Sequence, residues 1–172
     1  METIAVYSPE STPRLKFVSD WLFKERLQLD YVIVTDISEL KKYPFFIAYG
    51  KSIEGVISVP DAGLLWQKGI GKPEPAAGLW KDIPTIFASE EKGYTLPFDI
   101  FSAIFYLLSR YEEYLPYTPD KHGRYPPTNS ILFKKGWLLR PLVDEWVYAF
   151  RKQLQAALKM DIRATTFSYQ PT

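Results

Sequence analysis

Apolar positions change their spacing several times along this chain, and each change marks an element. "TIAVY" (3–7) is a short, β-branched, apolar run that stops at Ser8-Pro9, the pattern of a buried strand leading into a loop. Thr12 and Pro13 then open a helix. Leu15, Val18, Leu22 and Arg26 recur at spacings of three and four, with Phe17, Trp21 and Glu25 on the adjoining stripe. "LDYVIVTD" (29–36) returns to strand character. Strand, helix, strand is the unit that builds a parallel pair with a right-handed crossover. Asp36 to Lys42 reads as a short helical turn. "PFFIAYG" (44–50) and "GVISVP" (55–60) are further strands, and the short "KSIE" between them predicts a hairpin and therefore a mixed sheet.

Periodicity weakens from Asp61 to Lys92, where "QKGIGKPEPAAG" (67–78) is a loop broken by glycine and proline. Its glycines lack the Gly-Lys-Ser/Thr ending and the following helix of a phosphate cradle, so an exposed loop is expected. "IPTIFAS" (83–89) reads as one more strand. "LPFDIFSAIFYLLSRYEEYL" (96–115) is apolar around most of a helix circumference, which predicts a central core helix with Asp99 as N-cap or first-turn acid. Leu142, Trp146, Phe150, Leu154 and Leu158 are each four apart and predict a long amphipathic helix over 140–159. The tail "TTFSYQPT" alternates like a strand. These elements together predict an α/β fold: a mixed, mainly parallel sheet flanked by helices, in a single three-layer-like domain spanning 1–172.

Composition narrows the function. The 172 residues carry 21 basic against 20 acidic side chains, so no global charge excess draws the chain to nucleic acid. The absence of cysteine excludes disulfides and thiolate chemistry. No run reaches the roughly 20 apolar residues of a spanning helix, and the N-terminus does not read as a signal peptide. No membrane partner and a cytoplasmic location are expected.

Candidate chemistry concentrates in "SRYEEYLPYTPDKHGRYPP" (109–127), which supplies Arg110, Tyr111, Glu112, Glu113, Tyr114, Asp120, His122 and Arg124 as an interface or ligand rim. His122 is the sole histidine, with no neighbouring nucleophile, no Gly-x-Ser-x-Gly elbow and no second histidine for a metal, so a turn formed by Asp120 and Gly123 is expected around it. Glu112 and Glu113 are adjacent and on a helix point about 100° apart, too divergent to clamp one reacting bond. One of them pairing with Arg110 or Arg124 would pin the loop to the helix end. The alternative is a carbohydrate-binding rim, with the tyrosines at 106, 111, 114, 117 and 125 and Trp137 stacking on sugar faces. A hydrolase using His122 with nearby acids is a third reading.

Four motifs follow in order: Phe98 to Phe101 (Phe-Asp-Ile-Phe), Ser109 to Tyr114 (Ser-Arg-Tyr-Glu-Glu-Tyr), Asp120 to Arg124 (Asp-Lys-His-Gly-Arg) and Arg140 to Asp144 (Arg-Pro-Leu-Val-Asp). This stretch resembles the N-terminal domain that precedes the catalytic domain in a group of bacterial polysaccharide deacetylase-like (NodB-homology) proteins. The close match covers about a quarter of the chain. The resemblance implies a non-catalytic accessory domain of a carbohydrate-processing protein, with the catalytic domain expected after residue 172 as its partner. It also implies that the family's Asp-Asp pair, its His-x-x-x-His type motif and its divalent metal belong to that following domain. No catalytic, cofactor-binding or metal-ligating residue is assigned here, and a polysaccharide or oligosaccharide is the further partner to consider.

Overall fold

In the computed structural model, which describes residues 2–163 and Thr165, the first half of the chain builds a four-stranded parallel sheet. β1 (Thr3–Tyr7) lies between β2 (Asp30–Val34) and β3 (Phe45–Tyr49), and β4 (Ser58–Val59) pairs with β3, giving the order β2-β1-β3-β4. α1 (Pro13–Ser19) connects β1 to β2. It is capped by the Thr12 hydroxyl, which accepts from Leu15 N–H at 3.2 Å. The single helix expected over this stretch changes pitch at Asp20, and Asp20–Arg26 winds as wider π-helical turns, closed by Leu27 N–H donating to Leu22 O. The apolar stripe survives that change: Leu15, Val18, Leu22 and Phe23 are all buried.

Alternation along the strands explains the layers. Ile4, Val6, Ile47 and Tyr49 join the main core with α1 and the later helices, whereas Ala5, Tyr7, Val34 and Ala48 face a second, smaller cluster. A 3₁₀ helix (Ile37–Lys42) contributes Leu40 to that second face, with Ile53 and Val56 from the β3–β4 connection. That connection corrects the expected hairpin. Ala48 pairs with Ser58 and Tyr49 with Val59 in parallel register. Left-handed turns at Gly50 and Gly55 let the intervening segment cross the second face and bury its apolar side chains, which a hairpin would leave outside. The antiparallel pairing occurs instead in a separate ribbon of β5 (Gly78–Trp80) and β6 (Ile83–Thr85). Of the strand expected over 83–89, only the first part is regular, and Ala88 then bridges Phe98.

The central helix is shorter than the apolar run that announced it. α2 (Ile100–Leu108) begins at Asp99 and is followed by Arg110 in the left-handed region, after which Tyr111–Tyr114 forms a separate 3₁₀ turn. A two-turn segment (Pro127–Asn129, then α3, Ile131–Lys134) leads to α4 (Leu142–Leu158), whose Leu142, Trp146, Phe150 and Leu154 are buried as their spacing predicts. Trp146 donates its indole N–H to Pro84 O at 2.8 Å, tying α4 to the ribbon. Arg26 reaches Asp144 at 2.7 Å and joins the same helix to the π-helical turns. Apart from Thr165, the strand-like tail lies outside the described residues.

Candidate functional site

Open parallel sheets bind ligands beyond the strand C-termini where the strand order reverses, which here is between β1 and β3. That crevice is closed. A Cβ on Gly50 would meet Asp61 Oδ2 at 3.1 Å and the Pro9 ring at 3.3 Å, and the Tyr49 side chain is fully buried. Its hydroxyl donates to Asp99 Oδ2 at 2.8 Å. The same oxygen accepts from Ala62 N–H at 2.8 Å and from the Ser102 hydroxyl at 2.6 Å, while Oδ1 takes the Ser102 N–H at 2.9 Å. Burial pushes the Asp99 carboxyl up to about 6, against the pull of these four donors. The acid of "PFDIF" therefore caps α2 and braces it to β3 and to the Ala62 turn, an architectural part.

A cavity of about 330 Å³ opens instead at the far end of α2. Four of the eight residues singled out in the sequence line it: Arg110, Tyr111, Glu112 and Glu113. Tyr106, Tyr125 and Ser130 join them, with Leu107, Leu132 and Leu138 as apolar wall. Glu112 and Tyr125 also line an adjoining cavity beside Tyr117 and Asn129. Leu107 and Leu132 continue into a groove toward Arg140 and Asp144.

Each wall has a local cause. Arg110 is held at φ 53°, where a non-glycine residue is strained, and this reversal ends α2 and swings Glu112 and Glu113 over the cavity. Glu113 N–H donates to Arg110 O, and their side chains form an ion pair. Glu112 does not pair with arginine. Its Oε2 accepts Ile131 N–H at 2.9 Å, so it fastens the 3₁₀ turn to the start of α3, and burial raises its carboxyl above the ordinary range. Tyr111 is buried against Phe105 and Tyr106, and its hydroxyl accepts from Gly71 N–H at 2.9 Å. Arg14, lying over the Tyr111 ring, donates to Leu64 O and Gly69 O. The glycine loop 67–78 is thus anchored to the 3₁₀ turn at Tyr111 and to Arg14 of α1, a link that no local pattern in the loop announced.

The remaining sequence candidates separate from the cavity. Tyr114 is exposed and lies outside the lining. Asp120, His122 and Arg124 close a turn on themselves: Asp120 Oδ1 accepts from His122 N–H at 2.8 Å and Arg124 N–H at 2.9 Å, and Gly123 takes a left-handed φ. That is the turn expected around His122. Trp137, expected on the rim, packs partly buried against the main core. Sequence reasoning missed Ser130, whose hydroxyl caps α3 by accepting from Phe133 N–H at 3.1 Å, and the Leu107, Leu132 and Leu138 wall.

A family model described as a family of unknown function (DUF7033) matches residues 4–159, nearly the whole described fold. The chain belongs to the DUF7033 family. No curated protein and no solved structure matches it. Among its described residues, no group of three or more histidine, aspartate or glutamate side chains is placed to hold a metal ion, and no helix is long and apolar enough to cross a membrane. The DUF7033 match takes in the sheet, the Asp99 brace and the whole cavity.

Proposed function

We propose that this DUF7033 domain is a non-catalytic accessory domain that docks, through the surface around its cavity, on the catalytic domain of a polysaccharide deacetylase-like protein. The observation that carries this reading is the concentration of exposed apolar side chains between residues 108 and 139. Leu108, Tyr114, Tyr117, Phe133 and Leu138 are exposed there, and Leu139 is 97% exposed. Three contiguous depressions run through the same surface. Clustered apolar exposure beside polar walls is the signature of a protein contact surface. The choice of occupant rests on the motif resemblance at 98–144, and the strain at Arg110 fits a surface shaped for something other than stability.

Hydrogen exchange tests it. Supplying the deacetylase-like catalytic domain of the same protein should slow exchange across 108–139, and Leu139→Glu should abolish that protection while leaving the fold intact. Unchanged exchange with the partner in excess overturns the docking role.

A further inference from the structure

The cavity holds polar groups that the fold itself does not use. Tyr106 is only 3% exposed, yet no hydrogen bond joins its hydroxyl to a described residue. The Tyr125 hydroxyl is buried and equally unbonded. Glu112 engages Oε2 with Ile131 N–H and leaves Oε1 without a described hydrogen bond. Other polar groups of the wall are engaged: Ser130 donates to Pro127 O and accepts from Phe133 N–H, and Arg110 pairs with Glu113. A buried hydroxyl left without a partner, as at Tyr125, costs stability, and native proteins keep few such groups.

We propose that this cavity is a binding site for a small, uncharged polyhydroxylated ring of monosaccharide size, held by the Tyr106 and Tyr125 hydroxyls and the free oxygen of Glu112. A ring hydroxyl both donates and accepts, so it can donate a hydrogen bond to Glu112 while accepting one from a tyrosine. The C–H face of the ring meets Leu107, Leu132 and Leu138. The cavity's 330 Å³ stands at the small end of the roughly 300–1,000 Å³ range of small-molecule sites. One guanidinium against two carboxylates disfavours an anionic ligand. The ring of Tyr106 lies on that of Tyr111, centroids 5.5 Å apart, so recognition runs through hydroxyls and not through a stacking platform. The site shares Leu138 and its mouth with the proposed docking surface, but its test runs on the chain alone, so either reading can fail without the other.

Amide NMR of the chain, titrated separately with glucose, N-acetylglucosamine and glucuronate, decides it. The expected result is a saturable shift of the Ile131 amide with at least one neutral sugar and a weaker response to glucuronate. The Tyr106→Phe/Tyr125→Phe double variant should bind about tenfold more weakly. It should also be no less stable, because the hydroxyls it removes bond to no described residue. Absence of a saturable shift with either neutral sugar overturns the proposal, as does a double variant that binds unchanged. Glucuronate binding as tightly as the neutral sugars overturns it too.

Discussion

A buried acid, Asp99, and a half-buried one, Glu112, flank α2, and their surroundings differ. Asp99, at the N-terminus, accepts four hydrogen bonds from three partners, and its neighbours have few polar atoms left over. Glu112, just past the C-terminus, accepts one from Ile131 and faces two hydroxyls that bond to nothing described. Burial raises both carboxyls. The first arrangement is complete within the chain and serves its architecture. The second is incomplete within the chain, which is what a surface prepared for something else looks like.

The largest test of the contrast is Asp99→Ala. It strands the Tyr49 hydroxyl and both Ser102 donors in the core and leaves the Ala62 N–H without its acceptor, and should lower stability by on the order of 4 kcal/mol in denaturant unfolding. A loss below about 1 kcal/mol would show that the brace is dispensable. The pH dependence carries the same signature. A carboxyl raised from 3.8 to about 6 binds its proton more tightly folded than unfolded, so its stabilisation is full below pH 4 and is lost as pH rises through about 6. Glu112 acts in the same direction. Asp99→Asn should therefore flatten, without abolishing, the fall in stability over that window.

A matched pair of tyrosines sharpens the comparison. Tyr49→Phe removes a hydroxyl bonded to Asp99 and should cost about 1.5–3 kcal/mol, the usual range for a hydrogen bond to a charged group. Tyr106→Phe removes one bonded to no described residue and should change stability by less than about 0.5 kcal/mol, or raise it. Equal losses in the two melting curves would erase the distinction between an architectural and a prepared region.

The difference between the two ends of α2 was only partly legible in the sequence. The pattern located α1 and α4 because each buries one apolar stripe against the main core, and β1, β2 and β3 because each is a short apolar run set between that core and the second cluster. Asp99 was readable as a cap because one acid opens an apolar helix. The direction of β4 was not, since a short connection suggests a hairpin unless one knows that Ile53 and Val56 have a second cluster to enter. At the cavity, Arg110, Tyr111, Glu112 and Glu113 were flagged by local density of charge and aromatics. Their separation from Asp120, His122 and Arg124 was not, because it depends on a backbone reversal at an arginine, where propensity predicts none. The expected arginine pairing held for Glu113, and Glu112 turned instead to a backbone N–H that only the folded chain brings near.

That reversal supplies the smallest effect. Glycine at position 110 would adopt φ 53° without strain, a relief of about 1 kcal/mol. Against it stands the loss of the ion pair to Glu113, worth roughly 0.2–1 kcal/mol because the Arg110 side chain is mostly exposed. Arg110→Gly should therefore leave stability level or raised by about 0.5 kcal/mol while removing a charged wall from the cavity. A clear destabilisation would mean that the pair holds the helix end in place, and Arg110 would move to the same architectural side of the comparison as Asp99. Unchanged stability with altered exchange across 108–139 would keep it with Glu112, on the side of the molecule built for a partner.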